Sequence, residues 1–152
     1  MADNHILQLT DEYKNWLSDL KNRIRSARQK ALLAVNKELV LLYWQIGHEI
    51  LLRQERCGWG AKIVNQLSTD LKKAFPDMQG FSRTNLLYMR LFAKTWTNEE
   101  IVQEPLGQLP WYHHLTLLDK LSDNKDRLAY ARLALENGWS RNVMVHHYSI
   151  GH

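Results

Sequence analysis

The stretch of residues 27–56, ARQKALLAVNKELVLLYWQIGHEILLRQER, decides the fold of this chain. It is rich in Ala and Leu, which favour helix, and its apolar residues recur at the spacing of one helical face. The same period reaches back to Tyr13, so it is held for about eleven helical turns. We therefore predict a long helical segment over 10–57, formed as one long helix or as a helical hairpin with a break near Arg25 and Ser26, where basic residues crowd.

The rest of the chain repeats the helical period in shorter segments. Gly58 and Gly60 end the long segment, because Gly is common where helices stop. No alternating strand pattern appears, although a two-stranded wing between 97 and 110 stays open as an alternative. The sequence predicts an all-α fold, with helix-turn-helix or winged-helix-like units after the long segment. We expect one helical domain over 1–152, made of the segment 10–57, a first helix-turn-helix over 61–97 and a second helical unit over 111–150.

A pattern of Gly, an aromatic residue, Ser and Arg occurs twice, at 80–83 and at 138–141. Gly favours the left-handed conformation that ends a helix, and Ser is a strong N-cap for the next helix. The aromatic residue can fill the corner from the core side. Each copy predicts the corner of a helix-turn-helix with an Arg on the first turn of its second helix, where many DNA-reading side chains lie. Ordinary helix corners without a binding role are the alternative.

Charge favours DNA contact at the first corner. The chain has a net charge of +4, and residues 61–97 carry six Lys and Arg against two Asp, also +4. A basic patch on one helix-turn-helix is the pattern expected for phosphate contact. Residues 98–152 carry five Lys and Arg against seven Asp and Glu, so we interpret the second corner as a packing or protein contact. A basic run at 21–30 would spread over several helix faces and is interpreted as solvated surface.

We predict that the first corner contacts duplex DNA. Base edges are met by the first turns of the second helix, which here carry Arg83, Thr84, Asn85 and Tyr88. Arg suits guanine and Asn suits adenine, because each can form two parallel hydrogen bonds to that base; Thr84 and Asn85 are also ordinary helix-start residues. Phosphate contacts, which position without specifying sequence, are expected from the other basic residues of the segment: Lys62, Lys72, Lys73, Arg90 and Lys94.

Catalytic chemistry finds little support in the sequence. Residues 76–77 and 123–125 match the letters of a PD-(D/E)XK nuclease motif, but both pieces fall in predicted turns between helices, where they cannot place carboxylates on adjacent strands around Mg²⁺. The paired histidines at 113–114 and 146–147 point about 100° apart on a helix and rarely share a metal ion. We therefore predict no catalytic residue, no cofactor and no metal, and we expect a domain that is not an enzyme.

The composition of the chain indicates the cellular compartment in which we expect it. Cys57 is the single cysteine, which leaves no internal disulfide and suits a reducing cytoplasm. No run of about 18 apolar residues exists, and the N-terminus is polar and acidic rather than signal-like. We expect a cytoplasmic protein with no membrane partner.

Several motifs together resemble the N-terminal domain of YhcG-type proteins. The resemblance covers residues 12–149, nearly the whole chain. The motifs that carry it are Tyr43-Trp44-Gln45-Ile46-Gly47, Trp59-Gly60, Leu67-Ser68 with Asp70-Leu71, Phe75-Pro76, Gly80-Phe81-Ser82-Arg83 with Asn85-Leu86, Met89-Arg90 with Phe92, Pro110-Trp111, Leu117-Leu118 with Lys120, and Gly138-Trp139-Ser140-Arg141.

The resemblance implies a helical DNA-binding module of bacterial DNA processing, regarded as helix-turn-helix or winged-helix-like and normally followed by a PD-(D/E)XK nuclease domain. This sequence stops near Ile150, where the nuclease half would begin, so we expect that domain and its cleavage activity outside this chain. The resulting hypothesis is a DNA-binding and targeting module of a YhcG-type nuclease, with DNA and that domain as partners. The alternative is a protein-interaction or homodimerisation module without direct DNA contact, in which Trp16, Tyr43 and Trp44 form a self-complementary seam.

Overall fold

Helices are the regular elements of the part of the chain described by the structure, a computed structural model covering residues 10–34 and 37–151. No strand occurs in these described ranges, so the all-α prediction is confirmed. The segment 97–110 holds a short helix and a 3₁₀ turn in place of a two-stranded wing. In chain order the elements are α1 (Thr10–Ala34), α2 (Lys37–Arg56), α3 (Lys62–Ala74), α4 (Arg83–Thr95), α5 (Glu99–Gln103), the 3₁₀ turn (Leu106–Gln108), α6 (Trp111–Lys120), α7 (Asn124–Asn137) and α8 (Arg141–Gly151).

The long N-terminal segment is a helical hairpin of α1 and α2. Glu49 of α2 joins the two helices, because its carboxylate accepts hydrogen bonds from the Trp16 indole at 3.1 Å and from both terminal nitrogens of Arg23 at 2.6 and 2.7 Å. The predicted break near Arg25 and Ser26 is wrong, since both residues lie within α1. Neither residue is Gly or Pro, and both side chains are exposed and polar. The helical backbone therefore continues through them.

The crossing of α2 and α4 forms the centre of the core. Ile46, Met89 and Phe92 are fully buried there, and the two backbones approach most closely at Gly47. A Cβ added to Gly47 would lie 1.9 Å from the Met89 carbonyl oxygen and 2.8 Å from the Arg90 backbone nitrogen. No side chain larger than hydrogen fits between them, so this glycine sets the distance between the two helices.

The aromatic residues of the hairpin are buried against other helices of the same chain. The Trp44 indole donates to the Trp96 carbonyl at 2.6 Å, at the end of α4, and Tyr43 packs edge-on against Trp111. Trp16, Tyr43 and Trp44 are each at most 6% exposed. The predicted self-complementary seam of these three residues is therefore wrong, because they leave no free surface for a second copy.

Hydrogen bonds at helix ends attach α6 and α7 to the core. Arg127 of α7 donates to the carbonyls of Leu117 and Leu121 at the end of α6. Asn124 donates to the Thr95 carbonyl at the end of α4, at 2.9 Å. The bonds to Leu121 and Thr95 satisfy carbonyls that helix ends leave without intrahelical partners, so the position of α7 is fixed by α6 and α4.

His114 of α6 is a buried, neutral imidazole. Its Nε2 donates to the Leu106 carbonyl at 2.8 Å, and its ring centroid lies 4.8 Å from that of Phe92. Burial lowers the pKa of His114 from 6.5 to about 4, because the charged form would lose its hydration.

We expect acid to destabilise the fold through His114. The unfolded chain takes up a proton as the pH falls below 6.5, whereas the folded chain does so only near pH 4. The contribution is therefore intact above pH 6.5 and declines as the pH falls toward 4, by about 3 kcal/mol in total. Urea unfolding of wild type and His114→Gln at about pH 7 and about pH 4.5 checks this. The variant should lose less stability between the two pH values.

The matched control for this pH experiment is His146→Gln, since His146 is exposed on α8. It should keep the wild-type loss of stability. Equal losses in wild type and both variants would show that acid acts elsewhere.

Candidate nucleic-acid interface

The first corner differs from a tight helix-turn-helix. α3 ends at Ala74 and α4 begins at Arg83, so residues 75–82 join them, whereas such turns usually have about three or four residues. The joining residues run back along α3, where the Ser68 hydroxyl donates to the Phe81 carbonyl at 2.7 Å. Phe81 is fully buried, so the aromatic residue fills the corner as predicted. The start of α4 therefore lies beside the middle of α3.

The predictions for Ser82 and Gly80 at this corner have different outcomes. Ser82 caps α4 as predicted, since its hydroxyl accepts the Asn85 backbone N–H at 3.1 Å. Gly80 does not end a helix and is not left-handed, contrary to the prediction. A Cβ added to Gly80 would lie 2.0 Å from the Tyr43 hydroxyl oxygen, so the glycine is needed because the loop passes directly against Tyr43.

Asn85 is engaged inside the protein. Its amide nitrogen donates to the Gly80 carbonyl at 2.6 Å, and its amide oxygen accepts the Trp111 indole N–H at 2.8 Å. The first bond fixes the corner and the second attaches α6. Pairing with adenine would need both ends of the same amide, so it would break the bonds that hold the corner. Asn85 therefore has a structural role at this corner.

Arg83 and Thr84 are exposed on the first turn of α4. Arg83 Nε donates to the Asn65 side-chain oxygen on α3 at 2.6 Å. This bond orients the guanidinium. Its two terminal nitrogens make no hydrogen bond to the described residues. Lys62 lies one turn before Asn65 on the same exposed side of α3, so Lys62 and Arg83 contribute positive charge to one surface.

Tyr88 lies on the flank of α4 that faces α6. Its hydroxyl donates to the Asp119 carboxylate, with both oxygens at 2.9 Å. This hydrogen bond raises the pKa of the Tyr88 hydroxyl. A phosphate approaching Tyr88 would meet the negative charge of Asp119, so this carboxylate bounds the cationic surface on that side.

Lys72 and Lys73 lie at the opposite end of α3 from Lys62. Both are exposed in its last turn, about 15 Å along the helix from Lys62. Arg25 of α1 lies next to them, because its guanidinium carbon is 5.6 Å from the centroid of the Phe75 ring, which directly follows α3. The cations of α3 therefore form two groups, one at each end of the helix.

Arg90 and Lys94 line a cleft of about 550 Å³ between α2 and α4. Arg90 is half-buried and its Nε donates to the Gln54 side-chain oxygen at 2.7 Å, whereas Lys94 is exposed. Lys94 lies about 16 Å along α4 from Arg83. The structure thus spreads the predicted contacts over an extended surface rather than gathering them at the corner.

The second corner has the tighter geometry. α7 ends at Asn137 and α8 begins at Arg141, so only three residues join them. Gly138 ends α7 in the left-handed conformation, at φ 63°, as predicted. Ser140 accepts the Val143 backbone N–H at 3.2 Å, which caps α8. The length is that of a helix-turn-helix turn, so its interpretation as a packing or protein contact depends on the acidic sequence around it and not on its shape.

The residues that match the letters of the nuclease motif cap or begin a helix, or lie in a loop. The Asp123 side chain caps α7 by accepting the Lys125 backbone N–H at 2.9 Å, and 76–77 lie in the loop between α3 and α4. Within the described ranges, no group of three or more His, Cys, Asp or Glu could hold a metal ion. Of the helices described, none is long and apolar enough to cross a membrane.

A helical hairpin, a central crossing helix and two capped corners define this chain as a small all-α domain. It belongs to the family described as the DUF1016 N-terminal domain, whose model matches residues 19–150. The chain is also 33% identical over 90 residues to the Escherichia coli (strain K12) protein named "Putative nuclease YhcG". That match covers 57% of this chain and 24% of the relative. No solved structure matches. The resemblance to YhcG-type N-terminal domains is confirmed.

Sequence reasoning missed three side chains that shape this surface: Arg25, Asn65 and Asp119. Arg25 belonged to a run that we interpreted as solvated surface, and only the packing of α1 against α3 brings it next to Lys72 and Lys73. Asn65 gave no sequence signal, and Asp119 counted only as one of the acids around the second corner, because the partners of both lie on other helices.

Proposed function

We propose that this domain is the DNA-binding and targeting module of a YhcG-type nuclease and docks on duplex DNA through the outer sides of α3 and α4. One observation carries the proposal: most cations predicted as contacts are exposed on these two helices. They are Lys62, Lys72, Lys73, Arg83 and Lys94. The net charge of +4 over 61–97 supports phosphate contact, and the name of the E. coli relative supports a nuclease setting.

Within this proposal the residues have distinct roles. Arg83 and Thr84 would contact base edges, because they are exposed on the first turn of α4. The lysines would contact phosphates, while Tyr88 and Arg90 would lie at the margin, since each is bonded within the domain. A C-terminal PD-(D/E)XK nuclease domain would supply cleavage. The proposal gives this domain no catalytic step, cofactor or metal, and places it in the cytoplasm, where its single thiol stays reduced.

The test of this proposal is fluorescence anisotropy with a labelled duplex of about 25 base pairs, roughly two helical turns, at about 50 and about 200 mM salt. We expect saturable binding by wild type that weakens steeply with salt. Arg83→Gln/Thr84→Ala should weaken binding and reduce discrimination between sequences. Absence of binding at both salt concentrations, with the protein folded, would overturn the proposal.

Replacement of both lysines at the end of α3 has a quantitative expectation. Lys72→Gln/Lys73→Gln should weaken binding to every sequence and flatten the slope of log K against log salt by about 2, because each phosphate contact contributes about 0.9. Titrations of duplex at several salt concentrations measure this slope.

The control for the α3 lysines removes the same charge elsewhere. Lys120 and Lys125 are exposed at the end of α6 and the start of α7, and Lys120→Gln/Lys125→Gln should keep the wild-type slope. If Lys72→Gln/Lys73→Gln also keeps it, those lysines do not contact DNA.

A second candidate function is protein interaction, and the exposed apolar side chains of α8 favour it. Val143 is 42% exposed and Ile150 is 67% exposed. They lie two turns apart on one side of the helix, so they form a narrow apolar strip. Light scattering at high micromolar concentration tests self-association through this strip. A strictly monomeric protein would count against homodimerisation.

A further inference from the structure

We propose that α1 supplies a second phosphate-binding element, in which Lys21 and Arg25 continue the cationic end of α3 and bind the backbone of the same duplex beyond the corner. The inference rests on the proposed function, because it concerns the same ligand. Its residues lie outside the segment 61–97 to which the sequence confined DNA contact. We call Lys14, Lys21 and Arg25 the α1 stripe.

The α1 stripe lies on one side of the helix. The spacing of seven and then four residues places Lys14, Lys21 and Arg25 close to one line, which extends over about 16 Å. Arg23 points the other way, toward α2, where it forms ion pairs with Glu49 at 2.6 Å and with Asp19 at 3.0 Å. Among the described side chains of the basic run, Arg23 therefore has a structural role on one flank, and Lys21 and Arg25 lie on the opposite flank.

The position of Arg25 connects the α1 stripe to α3. Its guanidinium lies against the Phe75 ring, 5.6 Å from the centroid, and Phe75 follows Lys72 and Lys73 within one turn. A cation stacked on an aromatic ring is held in place by its attraction to the ring and keeps its positive charge. Arg25, Lys72 and Lys73 are all exposed, so the Arg25 guanidinium adds positive charge near the end of α3.

Two acids of this region, Asp70 and Glu12, hydrogen-bond to neutral groups, which fixes their position without removing their negative charge. Asp70 of α3 accepts the Tyr13 hydroxyl at 2.6 Å, and Glu12 lies on the other flank of α1, where it accepts the Cys57 thiol at 3.6 Å. Asp11 lies on the stripe's flank but precedes Lys14. Within the described residues no ion pair neutralises Lys21 or Arg25.

A polyanion with regularly spaced charges fits this surface better than a single small anion. The cations occupy a row on α1 and a second group at the end of α3. Duplex DNA offers a negative charge about every 1.7 Å of its axis, so several phosphates can meet the row at once. Duplex DNA is the polyanion that fits, because the proposed function already places it on α3 and α4.

The experiment compares salt slopes of duplex binding for four proteins. Lys21→Gln/Arg25→Gln should flatten the slope by about 2, as two phosphate contacts would. Lys21→Arg/Arg25→Lys keeps both charges and should keep the slope. Arg132→Gln/Arg141→Gln removes the same charge from exposed positions on α7 and α8 and should also keep it. Urea midpoints of each variant establish that the fold is intact.

The outcomes separate this inference from the proposed function. Wild type that binds no duplex overturns both. Wild type that binds, with an unchanged slope in Lys21→Gln/Arg25→Gln, overturns the α1 stripe alone. The same is true if that variant keeps duplex binding but loses binding to vesicles containing anionic lipid, because the stripe would then be a membrane-surface site. A flattened slope in Arg132→Gln/Arg141→Gln as well would mean that net charge, rather than contact, sets the slope, and would also overturn it.

Discussion

Gly47→Ala is expected to destabilise the domain by at least about 3 kcal/mol. The added Cβ would lie 1.9 Å from the Met89 carbonyl oxygen, and backbone atoms of a central helix cannot move aside as the end of a flexible side chain can. α2 and α4 must therefore separate, which opens the packing around Ile46 and Phe92. Urea unfolding, followed by circular dichroism, measures the change.

The direction of this effect is diagnostic. In the interior of a helix, Ala is ordinarily more stable than Gly by about 1 kcal/mol, so propensity alone predicts that Gly47→Ala stabilises the protein. Gly60→Ala is the matched control, because a Cβ there meets nothing within 4 Å and its φ is not positive. We expect it to change stability by less than about 0.5 kcal/mol. Stabilisation by Gly47→Ala would refute the close crossing of α2 and α4.

Asn85→Ala is expected to cost about 2–4 kcal/mol of stability, the second large effect. The substitution removes the donor to the Gly80 carbonyl and the acceptor for the Trp111 indole. Trp111 is 6% exposed, so its N–H would be left without a partner away from water. Chemical denaturation measures the loss, and it should appear in the absence of any DNA.

Two further variants separate the structural role of Asn85 from DNA contact. Asn85→Asp keeps an acceptor for Trp111 but replaces the donor to Gly80 with a carboxylate oxygen that faces that carbonyl, so it should also destabilise the corner. Thr84→Ala, at the exposed neighbouring position, should leave stability within about 0.5 kcal/mol of wild type. If Asn85→Ala were as stable as Thr84→Ala, the amide would not hold the corner, and Asn85 would return to the proposed DNA contacts.

Local features of the sequence predicted much of the fold. The helical period gave the all-α class, and the Ser and Gly signals located the cap at Ser82 and the left-handed end at Gly138. These signals act between residues a few positions apart, so they are visible in the sequence. Gly80 was misinterpreted because a glycine is needed there for the close approach of Tyr43, which lies far away in the chain.

The candidate site was less predictable than the fold. The pattern placed Arg83 and Thr84 correctly on the exposed first turn of α4, but it gave Asn85 the same role. What distinguishes Asn85 is the Trp111 indole, 26 residues later. The surroundings of Tyr88 and Arg25 likewise depend on Asp119 and Phe75, which belong to other elements. Which side chains are already bonded within the domain is a property of tertiary packing, and a single sequence does not reveal it.

The hairpin of α1 and α2 also bears on how the chain folds as it is synthesised. Its main tie joins residues 26 positions apart, so its contacts are local and can form early, before the later helices have left the ribosome. Tyr43 packs against Phe81 and Trp111, which emerge only afterwards. The nascent hairpin thus presents an uncovered aromatic surface until α4 and α6 arrive, and this interval is when a chaperone or a second nascent chain has access to it.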